Sequence, residues 1–322
     1  MPAAAQPTFE QRNLIMQADI VSSVLLPAIL AFIMFSLGLG LTTGDFRRIV
    51  AQPRALLVGV FCHFVLLPLV CYLMVRAFGI TGAFAVGFMI IASCPTGSTS
   101  NILTYLARGD VALAVSFTAV ASVMTMFTLP FIVAWSLAEF MGAQQTVAVP
   151  VTLMMGQIFM MLAVPVAAGM LVRHKWPAAT QRREPVATRI ATVLFIIILA
   201  LAVVKNWALL RDNFTTLAPF AMGLNLVMLA VGFLVAWMAR LSRRQSVTLG
   251  IETAVQNATL ALVIASSVLK QDAMAVPGAL YGVLMYAGGL LFASLMRRFT
   301  QADATPASQQ SCPGAVTAAS AK

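Results

Sequence analysis

Charged side chains are scarce in this chain: Asp, Glu, Lys and Arg make up 9% of 322 residues, against about a quarter in soluble domains. Such a chain cannot cover itself for water, which excludes a soluble fold. Histidine is scarcer still, with only His63 and His174. With no paired intramembrane Asp and no metalloprotease motif, a membrane enzyme is poorly supported. No Walker loop occurs, which argues against an ATP-driven pump. The four cysteines give neither a disulfide framework nor a metal spacing, since Cys62, Cys71 and Cys94 lie in apolar runs and Cys312 in a polar tail. Residues 1–19 lack a basic n-region and a short apolar core, so no cleavable signal peptide is expected.

What the chain does have is long hydrophobic runs, with 61% hydrophobic residues. A membrane span needs roughly 20 apolar residues to cross about 30 Å of hydrocarbon. By that measure the sequence predicts nine: about 20–43, 55–75, 81–107, 111–137, 148–172, 186–205, 215–239, 246–269 and 273–296. With this alternation, fourteen basic residues fall on one side, from Arg47 and Arg48 to Arg297 and Arg298. Five fall on the other, namely Arg12, Arg76, Lys205, Arg211 and Lys270. This is the asymmetry of the positive-inside rule, and it puts the N-terminus outside and the C-terminus in the cytoplasm. The basic balance is therefore a topology signal and implies no nucleic-acid partner. The last residues, 299–322, are rich in Ala, Ser, Gln and Pro and read as a disordered cytoplasmic tail. Nineteen Met and twenty Phe read as lipid-facing or packing residues.

Two spans depart from this apolar pattern. The third is broken by "SCPTGSTSN", residues 93–101. Pro95 removes a backbone donor, Gly97 allows angles that other residues resist, and Ser100 and Asn101 are good helix caps. Free carbonyls at the end of the first half would attract cations, and free amides at the start of the second would attract anions. Alone, the segment reads equally as a small-residue helix contact. The eighth span, however, carries "GIETAVQNATLA", residues 250–261, with a carboxylate and two amides at depth. Five crossings separate the two spans, so they run in opposite directions. Paired interruptions in opposed spans are expected of an inverted-topology repeat whose broken helices cross at the midplane to form a transport site.

Of ten acidic residues, nine fall in loops, termini or span ends, and Glu252 alone lies mid-span. An acid there costs about 2.5–3.5 kcal/mol on insertion scales and is a functional candidate by default. The other reading is that Glu252 reaches the interface beside Arg243 and Arg244. Two turns of helix, about 12 Å, separate it from Arg244. No span holds Lys or Arg near its middle, so a bound cation is the available partner. Hydroxyls, amide oxygens and one carboxylate form a hard set suited to Na⁺. Thr118, Ser122 and Thr125 place further hydroxyls along one helical face, although such groups often bond back to their own turn.

The segments "CPTGSTSNILTYLARGDVALAVSFT" (94–118) and "ETAVQNATLALVIA" (252–265) resemble the two signatures of the bile acid:sodium symporter family, bacterial organic anion transporters among them. "MFSLGLGLTTGDFRRIVAQPRALLVG" (34–59) and "HFVLLPL" (63–69) support the resemblance, which covers about 20–296. It implies an all-α polytopic protein of two inverted repeats, with a gate-like panel domain (20–43 and 148–205) and a core domain (55–137 and 215–296). An extracytoplasmic segment (1–19) precedes them. The family's usual first span has no counterpart in this reading.

Carried over by position, one Na⁺ site would use Ser100, Asn101, Thr118 and Glu252. A family serine is here Ala114, and Ser116, about 200° around the helix from Thr118, is a poor replacement. A second site would use Glu252, the carbonyls of Thr253 and Val255, and Gln256, with His63 where the family has glutamine. An imidazole titrates near neutrality, so this second site is expected to be pH-sensitive. The solute would meet Ser98, Asn257 and the Met285-Tyr286 pair, which replaces a family His-Asn pair. The resemblance implies Na⁺-coupled import of an organic anion across the inner (plasma) membrane. The anion would be bile-acid-like or a smaller carboxylate of the pantoate or pyruvate kind. A Na⁺/H⁺ exchanger or passive channel using Glu252 is the alternative. The sequence leaves the oligomeric state open.

Overall fold

The computed structural model describes residues 24–42, 44, 53–142 and 151–301. Every regular element among them is a helix: α1 (Leu26–Gly40), α2 (Pro53–Ala77), α3 (Gly82–Ser93), α4 (Ser100–Leu106), α5 (Val111–Met141), α6 (Val151–Lys175), α7 (Pro177–Lys205), α8 (Trp207–Met238), α9 (Arg243–Ala254), α10 (Ala258–Val268) and α11 (Asp272–Gln301). Six of these, α2, α5, α6, α7, α8 and α11, are each long and apolar enough to cross a membrane, while α1, α3 and α10 are shorter and apolar. The expected third and eighth spans are the interrupted pairs α3/α4 and α9/α10.

Several helix limits differ from the hydropathy limits. Helix α7 starts at Pro177, not near 186, and α8 starts at Trp207, not near 215. Hydropathy marks the lipid-facing length, whereas the backbone hydrogen-bond ladder continues into polar turns. Proline at the first position of α7 suits the start, because its fixed φ is helical and its missing N–H is not needed there. Helix α11 runs to Gln301, past the point where the tail was expected to begin. Thr300 docks there by donating to the Ala107 carbonyl at 3.0 Å. The N-terminal segment 1–19 and residues 302–322 of the tail lie outside the described residues.

Helix α1 packs chiefly on α6 and also on α7. Its closest approach is made by two glycines. A Cβ on Gly38 would collide with the Val166 carbonyl, and one on Gly169 with the Phe35 carbonyl. Small residues let membrane helices touch backbone to backbone. A second body of contacts joins α8 to α9 and α11, and α3 to α5 and α11. Polar contacts tie neighbouring helix ends. Arg76 pairs with Glu139 at 3.4 Å and Lys205 with Asp272 at 2.9 Å, each joining ends that the charge sorting puts on one side. Arg173 to the Leu39 carbonyl and Arg244 to the Gly109 carbonyl do the same at the other side.

Candidate ion and solute site

The two interruptions lie against each other as antiparallel extended segments, with Thr96 opposite Gln256. The Gly97 N–H donates to the Val255 carbonyl at 3.2 Å, and the Asn257 N–H donates to the Pro95 carbonyl at 2.8 Å. Backbone groups that leave a helix in the absence of water need such partners, and each break supplies them to the other. Gly97 keeps this crossing close, because a Cβ there would sit 3.0 Å from the Gln256 carbonyl oxygen, tighter than an ordinary contact.

Glu252, in the last turn of α9, is fully buried beside the crossing. Its Oε1 accepts from the Ser100 hydroxyl at 2.7 Å, and its Oε2 accepts from the Thr118 hydroxyl at 3.1 Å. The carboxylate thus joins α4, α5 and α9, and the interface reading is overturned. No described Lys or Arg pairs with it; the described ion pairs are Arg76–Glu139, Lys205–Asp272 and Arg211–Asp212. Hydroxyl donors share a carboxylate's charge without cancelling it, and an uncompensated buried charge is costly. Nearby, the Asn101 Oδ1 and Gln256 Oε1 acceptors are buried with no donor among the described residues. Amide oxygens and a carboxylate are each the ligand type that a hard cation takes.

The remaining expected ligands are placed as follows. Ser100 is the first residue of α4 and its hydroxyl goes to Glu252, so it does not cap its own helix. The cap of α10 is Asn257, whose Oδ1 accepts from the Leu260 N–H at 3.0 Å. The Thr253 carbonyl accepts from Gln256 Nε2 at 2.8 Å, and the Val255 carbonyl from Gly97. Each retains a second lone pair. Ser122 bonds back to the Thr118 carbonyl and Ser116 to the Ala112 carbonyl, whereas the buried Thr125 hydroxyl has no partner among the described residues. His63 lies in a wide turn of α2, with Nδ1 3.3 Å from the Glu252 carbonyl and Nε2 3.0 Å from the Cys94 carbonyl. Its ring therefore touches both interrupted helices at once.

A cavity of about 210 Å³ adjoins the crossing. Its floor includes Gly97, Ser98, Thr99, Asn101, Gln256 and Asn257, and its walls come from α1, α7 and Tyr286 of α11. Asn101 and Gln256, whose amide oxygens have no donor among the described residues, both line the cavity. The Tyr286 hydroxyl and Thr99 Oγ1 are 2.8 Å apart. Met285 is buried and does not line this cavity. Of the expected pair, Tyr286 alone is among the lining residues. Sequence reasoning missed Asn225 and Tyr281, which both donate to the Ala254 carbonyl at the end of α9, at 3.1 and 2.7 Å. A lone amide mid-span was the available signal.

A helical membrane protein whose two broken helices cross beside one buried carboxylate and a small cavity has the architecture of a secondary transporter. The chain belongs to the Sodium Bile acid symporter family, whose family model matches residues 27–213. It is similar to the Sodium-dependent organic anion transporter of Rattus norvegicus, 29% identical over 76% of this chain and 65% of that protein. It is also similar to the Ileal sodium/bile acid cotransporter of Oryctolagus cuniculus, 31% identical over 56% of this chain and 51% of the relative. The Probable sodium/metabolite cotransporter BASS2, chloroplastic, of Oryza sativa subsp. japonica is 27% identical over 83% and 62%. The chain therefore spans between about half and two thirds of the length of these three relatives.

Proposed function

We propose that this chain couples inward movement of Na⁺ to uptake of a small organic anion by alternating access. The observation that carries the reading is Glu252: fully buried, held by hydroxyls of two other helices, and paired with no described cation. Na⁺ is the transported partner that neutralises it. Ser100, Asn101, Thr118 and Glu252 would form one site; Glu252, Thr253, Val255, Gln256 and His63 would border a second. The anion sits in the adjoining cavity against Ser98, Asn257 and Tyr286. With both sites filled, two Na⁺ against one carboxylate would leave an excess positive charge, which would draw an anionic solute to the same place.

In this reading nine crossings form two inverted repeats, with the N-terminus outside and the C-terminus in the cytoplasm of the inner membrane. Helices α1, α6 and α7 act as the panel, and the remaining helices act as a core that moves against it. Each net positive charge carried inward is worth about 2.3 kcal/mol per 100 mV. Purified protein in liposomes tests this with labelled carboxylates, with and without a Na⁺ gradient. Solute accumulation only with Na⁺ is expected. Na⁺ flux without solute would support an exchanger or channel instead.

A further inference from the structure

The cavity proposed for the anion has one charged residue among its described lining, and it is acidic. Glu184 was expected in a loop, but α7 begins two turns before it and carries it into the cavity wall. Glu184, Thr188, Ala191, Thr192 and Phe195 line the cavity from one face of α7, as their spacing of three and four residues requires. Glu184 Oε1 accepts from the Thr188 hydroxyl at 3.2 Å, while Oε2 accepts from none of the described residues. The wall of α1 opposite is Gly40, where even an added Cβ would stand 4.0 Å from Oε1. No described Lys or Arg forms an ion pair with Glu184, and Arg173, at the end of α6, is engaged with the Leu39 carbonyl.

Resting on the transport reading above, the geometry points to a solute with two unlike ends. We propose that its carboxylate lies at the crossing and that a protonated amine at its far end is read by Glu184. A dicarboxylate would bring its second negative charge against this side chain and is rejected. A hydroxyl end fills the same acceptor without opposing its charge, and binds more weakly than an ammonium because charge-assisted hydrogen bonds are the stronger kind. Phe195, which packs edge-on against Tyr286 with centroids 6.2 Å apart, marks the level of the crossing on α7. Glu184 lies eleven residues away, about 16 Å along the helix, so the solute is an extended chain and not a compact amino acid.

The test is Na⁺-driven uptake in proteoliposomes of ω-amino, ω-hydroxy and ω-carboxy straight-chain acids of matched lengths, by the parent protein and by Glu184→Gln. The parent should favour the amine-ended acid and take up the dicarboxylate least. In Glu184→Gln the ratio of amine-ended to hydroxyl-ended uptake should fall about tenfold, and dicarboxylate uptake should rise. Thermal unfolding of the variant in Na⁺ checks that it is folded. Unchanged ratios in the variant overturn the role of Glu184, as does a parent that takes up other carboxylates with Na⁺ but ignores this series. If no carboxylate moves with Na⁺ at all, the transport reading itself falls.

Discussion

Ser100 and Glu252 stand 152 positions apart in the chain, yet the Ser100 hydroxyl donates to Glu252 Oε1 at 2.7 Å. The contact joins the first residue of α4 to the last turn of α9, so the carboxylate keeps its place only while both interrupted helices keep theirs. Replacing Glu252 by Gln preserves size and hydrogen-bonding capacity but removes the charge. The expected outcome is loss of Na⁺-dependent stabilisation. A ligand present at a hundred times its Kd stabilises the folded state by about 2.7 kcal/mol. Thermal unfolding in detergent, with Na⁺ exchanged for choline, reads this directly. Equal Na⁺ shifts in the parent and the variant would remove Glu252 from the ion site.

The hydroxyls of α4 and α5 should separate by what they touch. Ser100→Ala and Thr118→Val each remove a hydroxyl that donates to the carboxylate, and hydrogen bonds to charged groups are worth about 1.5–3 kcal/mol. Each should raise the Na⁺ concentration for half-maximal uptake about tenfold or more. Ser122→Ala should leave it unchanged, because that hydroxyl is spent on the Thr118 carbonyl. If Ser122→Ala shifted the Na⁺ dependence as far as Thr118→Val, the effect would belong to packing of α5 and not to ion contact.

Much of this site was legible because membrane sequences contain few polar residues, and those few carry a high prior of function. Pro95, Gly97 and the amides of Gln256 and Asn257 announced two breaks, and Glu252 announced the charge between them. Less visible were contacts made by residues with no spacing pattern. Asn225 and Tyr281 converge on the Ala254 carbonyl from α8 and α11, a meeting that only the tertiary packing determines. Glu184 was hidden for a different reason. A hydropathy window finds where lipid begins, and this carboxylate lies in the polar turns of α7 that precede it. Met285 was grouped with Tyr286 by position in the family pattern, and its burial away from the cavity is set by tertiary packing that sequence does not display.

Close backbone approach at the crossing gives a third prediction. In Gly97→Ala the new methyl would stand 3.0 Å from the Gln256 carbonyl oxygen. That oxygen cannot retreat freely, since it also accepts from the Ala258 N–H at 3.0 Å. The variant should lose most of its uptake, and overpacking of this kind costs about 1–3 kcal/mol of stability. Gly156→Ala in α6 is the control, because a Cβ there meets nothing within 4 Å. Comparable loss in both variants would show that the crossing is not specially constrained.

His63 supplies the last prediction. Its ring contacts the Glu252 and Cys94 carbonyls at 3.3 and 3.0 Å and packs edge-on against Phe64 and Phe117. A neutral ring has one N–H and donates to one of these carbonyls, while it stands in contact with both interrupted helices. His63→Ala withdraws these contacts together and should lower stability by about 1–3 kcal/mol, seen as an earlier unfolding midpoint. His63→Gln differs in kind. Its amide nitrogen can still donate to one carbonyl, while its amide oxygen adds a neutral ligand beside Gln256, whose own Oε1 has no donor among the described residues. If the ring occupies ground that a second Na⁺ would use, the Gln variant should bind that ion and steepen the Na⁺ dependence of uptake. The Hill coefficient should rise from about one towards two, the limit for two sites. A slope that stays the same while uptake persists would mean that the imidazole replaces nothing and serves the fold alone.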